Sequence, residues 1–263
     1  MSEATTAWID APGTADDAGD VAPPTVRRRG ARSSAETPLP ALDRIRRRFL
    51  VGLLLVALVA PVVLAAVRLP RWWEWIAPEQ TPMTWLQSVV LVLAGAASVV
   101  VGVLAHLRGE PARRRRLWSL LSAGFLVLAV DERFALHERV RDRVLAPRDV
   151  TIPFLPWVAP GDFLVLCIAL AGLALLPFVW RALSDDTSAQ RLLAAGVVLA
   201  SVAVGMDSID PSSWTIAAER MQQTGEEVFE LAAGLCFLAA IGLRLLGILA
   251  SLVAVQPSQP SAG

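Results

Sequence analysis

The chain has no lysine, no asparagine and no tyrosine, so all 24 of its basic residues are arginine. Without lysine there is no amine for a Schiff base, and without tyrosine there is no phenolic general acid. The three missing residues use AT-rich codons, and their joint loss is the bias expected of a high-GC, bacterial genome. Histidine is scarce, with only His106 and His137, and the two cysteines, Cys167 and Cys236, both fall inside apolar runs. Two such thiols make no disulfide framework and behave as small hydrophobes. The net charge is zero, so no basic excess draws the chain to nucleic acid.

Apolar residues, in contrast, make up 55% of the chain, and the mean hydropathy is +0.54. They come in blocks, where a soluble domain interleaves them with polar residues. A membrane-spanning helix needs about 20 mostly apolar residues. Six stretches are expected to cross: 49–67, 84–105, 117–138, 163–180, 191–210 and 226–250. The third and fifth reach spanning length only if the acid-bearing segments 131–138 and 207–210 are included. The expected fold is therefore an all-α integral membrane protein, a six-helix bundle over residues 46–255. A disordered tail, rich in Ala, Pro, Thr, Asp and Arg, is expected over 1–45, and a short tail over 256–263.

Arginine placement predicts orientation. If residues 1–45 are cytoplasmic, 16 of the 24 arginines fall on that side and 8 on the other. That bias puts both termini in the cytoplasm of a multi-pass plasma-membrane protein. Trp72, Trp73, Trp75 and Trp157 then suit the outer interfacial belt. Arg46-Arg47-Arg48-Phe49-Leu50 resembles a twin-arginine export signal. The long leader before it and the strongly apolar core after it favour a retained first helix. Small residues at 94–98, and at Gly196, Ala200, Ser201 and Gly205, allow close helix approach.

Acids interrupt these apolar runs at one end only. They are Asp131, Glu132 and Glu138, then Asp207 and Asp210, then Glu219, Glu226, Glu227 and Glu230. His137 lies among them. At about 1.5 Å per residue, Asp131 is about 21 Å along its span and Asp207 is at similar depth. Three helices thus deliver acids to one layer in the outer third of a ~30 Å core. Ionisable groups at such depth are costly and mark a working site. On a helical wheel Asp131 and Glu138 nearly coincide, while Glu226 and Glu230 share a face. Bare carboxylates so placed repel one another unless protonated, paired with arginine or bound to a cation. Arg133, Arg139 and Arg220 are the candidate partners.

The leading expectation is a metal site with His137, Asp131, Asp207 and Glu226 as ligands and Glu138 and Glu230 as catalytic acid–base groups. Imidazole with carboxylates suits Zn, Mn or Fe, and a metal-bound water makes the site that of a membrane hydrolase. A di-iron carboxylate bundle needs Glu-x-x-His on two helices, and Glu132 to His137 is the wrong spacing. The alternatives are a proton- or cation-coupled transporter and a structural or assembly protein whose acids pair with arginine. Glu219, Glu227 and Asp210 read as solvated or capping residues, and Asp162 as an N-cap. The expected partners are the lipid bilayer and a lipid or ion substrate, with no nucleic acid.

Overall fold

The computed structural model describes residues 38–151, 163–207, 209 and 214–254. Among these residues every regular element is a helix, with no strand. The long helices are α1 (Pro38–Val67), α2 (Pro82–Leu107) and α3 (Ala112–Phe134). A short α4 (Leu136–Val140) follows, and then α5 (Phe163–Ala182), α6 (Thr187–Asp207) and α7 (Ile216–Ala254). Four helical stretches are long and apolar enough to cross a membrane: Ala41–Val67, Pro82–Leu107, Thr187–Asp207 and Ile216–Leu252. Two of the six expected spans fall short of that test. The apolar part of α5 is Leu166–Ala182. In α3, Arg113–Arg116 crowd one end and Asp131, Glu132 and Arg133 the other. Eight residues of the expected tail, 38–45, begin α1; residues 1–37, the proline-rich 152–162 with Asp162 and Trp157, Ser208, Asp210 and the 256–263 tail lie outside the described residues.

Local chemistry sets the helix ends. Thr81 stands at the N-cap of α2 with Pro82 at its first position, where a missing N–H costs nothing. Gly109 closes α2 with a φ of 68°, a left-handed conformation that glycine adopts freely. Asp186 opens α6: its Oδ1 accepts from the backbone N–H groups of Ser188 (3.0 Å) and Ala189 (3.1 Å). That caps the helix.

The centre of the bundle is α7, against which α1, α2 and α6 pack, while α3 lies along α2. Leu231, Leu235, Leu238 and Leu243 of α7 are buried in one core with Val90, Ala94 and Val101 of α2. Two close approaches rest on glycine; Gly196 belongs to the small-residue pattern of the sequence and Gly242 does not, while Gly205 of that pattern has nothing within 4 Å of an added Cβ. A Cβ on Gly196 would stand 2.7 Å from the Phe237 ring, and one on Gly242 2.6 Å from the Phe49 ring. Outward faces stay apolar, with Leu54, Leu58, Val62, Val99 and Val198 all exposed, which suits a lipid surround.

The antiparallel order of α2, α3, α6 and α7 gives the bundle two chemically different ends. At one, Arg46 pairs with Asp186, and Arg244 donates to Asp185 at 2.6 Å. At the other gather the end of α3, α4, the end of α6, the first half of α7 and the loop 68–81. That loop is folded. Glu74 pairs with Arg68 and Arg71, Ile76 is buried, and the half-buried Trp75 and Trp73 lie under the guanidinium groups of Arg68 and Arg220.

Candidate metal centre

The expected third helix does not run through to residue 138. It stops at Phe134, and Ala135 takes a left-handed φ of 47° before α4 begins. For a residue with a Cβ this costs about 1–2 kcal/mol. Asp131 offsets that cost. Its Oδ1 accepts from the backbone N–H of His137 and its Oδ2 contacts His137 Nδ1, both at 2.8 Å. Burial disfavours the charged imidazole of His137, yet the hydrogen bond and charge of Asp131 outweigh it and push its pKa up. The break rotates the chain, so the straight-helix alignment of Asp131 with Glu138 does not hold. Glu138 instead pairs with Arg141 at 3.3 Å.

The last helix also differs from expectation. It starts at Ile216, so Glu219 lies in its first turn while Glu226, Glu227 and Glu230 are well inside it. They are not residues of a helix N-terminus. Glu227 is buried, only 6% exposed, which corrects its reading as a solvated or capping residue. Glu219 is half-buried, with Gln223 Nε2 3.5 Å from its Oε1.

The tightest convergence is Glu132 of α3 with Glu227 and Glu230 of α7. One carboxylate oxygen from each lies within 4.8 Å of the other two. Three oxygens at that outer limit would lie about 2.8 Å from their common centre, so a Ca²⁺ with bonds of about 2.4 Å would draw them in by a few tenths of an ångström. Gln87 of α2 joins them, 3% exposed. Its Nε2 donates to the backbone carbonyl of Glu227 at 2.9 Å and lies 3.4 Å from Glu230 Oε2. Glu227 Oε2 and Gln87 Oε1 are both buried without a hydrogen-bond partner among the described residues. Buried acceptors left so are expensive, and both are ligand types for a hard cation.

Around this triad lies a wider ring of acids. Glu79, in the loop before α2, feels the charges of Glu138, His137, Asp131 and Asp207. Burial pushes its pKa from 4.5 up to about 7, with Glu138 adding to the rise and His137 opposing it. Glu230 lies in electrostatic reach of Glu79, Asp207, His137 and Asp131, and Glu226 in reach of Asp207 and Glu138. All the expected site residues, Asp131, His137, Glu138, Asp207, Glu226 and Glu230, therefore fall in one region. They divide within it: Glu230 enters the triad, while Asp131 and His137 hold each other.

The expected arginine partners do not neutralise this charge. Arg133, Arg139 and Arg220 form no ion pair with these acids among the described residues; Arg220 donates to Gln223 at 2.8 Å and covers Trp73. Glu132, Glu227, Gln87 and Glu79 are members that sequence reasoning left out of the ligand set. For Gln87 a signal existed: it is an amide in an otherwise apolar run, near the end where the acids collect. The i,i+3 spacing of Glu227 and Glu230, which puts both on one helix face, was a second.

A helical membrane protein with a buried carboxylate cluster at one end of its bundle is what these features define. Residues 47–245 match the model of a family described as Domain of unknown function (DUF8692), and the chain belongs to that family. No curated protein and no solved structure matches the chain.

Proposed function

We propose that this protein binds a hard divalent cation, of the Mg²⁺, Mn²⁺ or Ca²⁺ class, between Glu132, Glu227 and Glu230. The observation that carries this reading is the convergence of three carboxylates from two helices around the buried Glu227. Like charges that close, with little water, are tolerated only when a proton or a cation is shared between them. The donor set is all oxygen, with the Gln87 amide oxygen in reserve. It favours Mn over Zn or Fe from the metals the sequence suggested, and adds Mg and Ca. In this reading α3 and α5 cross the bilayer with the four longer helices. The arginine bias puts the cation on the outer side of the plasma membrane.

Hydrolysis is the second reading, and the Asp131–His137 pair favours it. Asp131 holds Nδ1, which leaves His137 Nε2 as a base. A water deprotonated there would attack a lipid ester or phosphoester, and the leaving alkoxide would take the proton back from the imidazolium. A coupled transport path has less support. Between Glu230 and the turn holding Asp185 and Asp186, the helices that form the core contribute no acid.

Elemental analysis of the detergent-purified protein tests the proposal. The wild type and His137→Ala should each hold about one equivalent of Mg, Mn or Ca, and Glu227→Gln should hold none. Loss of the metal in His137→Ala but not in Glu227→Gln would put the ligands where the sequence first suggested and refute the triad.

A further inference from the structure

Away from the carboxylates, a groove of about 660 Å³ runs between α2 and α3 toward the arginine-rich end. That lies within the range of about 300–1,000 Å³ typical of small-molecule sites. Its walls are largely apolar, with Val99, Val103, Ala123 and Leu126, and Gly102 and Ser122 also line it. Val99 and Val103 are each about half exposed, so the groove opens sideways where lipid tails would stand.

The mouth of the groove has the opposite character. His106, Arg115 and Arg116 line it, and the Arg115 guanidinium contacts His106 Nδ1. Neighbouring cations are engaged elsewhere: Arg114 pairs with Glu110, and Arg113 lies over the Phe178 ring. Arg115 and Arg116 make no ion pair among the described residues. Among the described residues, two cations without carboxylate partners therefore stand at the end of an apolar slot, on the arginine-rich side of the bundle.

We propose that this groove binds one anionic phospholipid, with an acyl chain along Val99, Val103 and Leu126 and its phosphate at Arg115 and Arg116. The charge pattern favours this occupant. A second helix would bring its own backbone and side chains against two unneutralised arginines, whereas an anionic headgroup neutralises them. The lipid would also fill a seam that two helices leave open.

Native mass spectrometry of the full chain in detergent, with phosphatidylglycerol or phosphatidylcholine added, tests this. The wild type should retain phosphatidylglycerol roughly thirtyfold better, as two basic residues at an anionic surface predict. The double variant Arg115→Gln/Arg116→Gln should bring the two lipids to near parity. Ala123→Trp should fill the slot and release both lipids. Both variants alter groove-lining, solvent-accessible positions, and an unchanged circular-dichroism melt would show that the fold persists. Equal retention of the two lipids by the wild type would overturn the proposal, as would an unchanged preference in the double variant. A dimer mass that disappears in Ala123→Trp would also overturn it, by assigning the groove to a second copy of the chain.

Discussion

Asp131 grips His137 twice, through the backbone N–H and through Nδ1, both at 2.8 Å, across the left-handed turn at Ala135. One carboxylate thus ends a helix, starts the next and orients an imidazole. Asp131→Ala should remove both bonds and lower stability by about 2 kcal/mol or more, since bonds to a charged group are each worth about 1.5–3 kcal/mol. His137→Ala keeps the backbone bond and should cost less. Thermal unfolding followed by tryptophan fluorescence ranks the two; the reverse order would show that the Asp131–backbone bond does not hold the break.

Gly196 is the close-contact point of α6 on α7. A Cβ there would meet the Phe237 ring at 2.7 Å and Cys236 Cβ at 3.2 Å. Gly196→Ala should therefore cost about 1–3 kcal/mol by overpacking. Gly205, on the same helix, has nothing within 4 Å of an added Cβ. Gly205→Ala should be neutral or stabilising by up to about 1 kcal/mol through helix propensity. Equal effects at the two sites in the same melting assay would mean that the interface tolerates a methyl group at its tightest point.

Glu79 makes stability depend on pH in a definite direction. Its folded pKa, about 7, is above the ordinary 4.5, and burial is the main cause. A raised carboxyl contributes stability that is fully present below about 4.5 and is lost as pH rises through about 7. Glu79→Gln removes that loss. The melting temperatures of variant and wild type should be closest near pH 4.5 and diverge in favour of the variant by pH 8. A difference that stays constant across this range would place Glu79 in water.

The gathering of acids at one end of the bundle was legible in the sequence, because helix order and acid positions suffice to bring residues 131–138, 207 and 226–230 together. Pairing within the site was not legible. The break at Ala135 has no glycine or proline to announce it and depends on a hydrogen bond six residues back, so a straight helical wheel aligned Asp131 with the wrong partner. The start of α7 was hidden for a different reason. Residues 216–225 are too polar to read as a span, yet they are good helix formers, and their inclusion moves Glu227 from a helix end to the interior. Glu79 lies outside any apolar run, and only the folded loop 68–81 carries it to the other acids.

The triad makes a prediction about charge that a structural ion-pair network would not. With no cation bound, Glu132, Glu227 and Glu230 repel one another, so Glu227→Gln should melt higher than the wild type in chelator at pH 8. Added Ca²⁺ or Mn²⁺ should raise the wild-type melting temperature in proportion to the logarithm of its concentration and leave the variant unmoved. If Glu227→Gln were destabilising in chelator, Glu227 would be acting as a structural partner.

The most direct measurement is a Mn²⁺ titration of the chelator-stripped protein in detergent, followed by electron paramagnetic resonance. The account predicts one saturable site in the wild type, no binding in Glu227→Gln, and retained binding in His137→Ala. A folded wild type that binds no Mn²⁺, or a Glu227→Gln variant that binds it as well as the wild type, would contradict it.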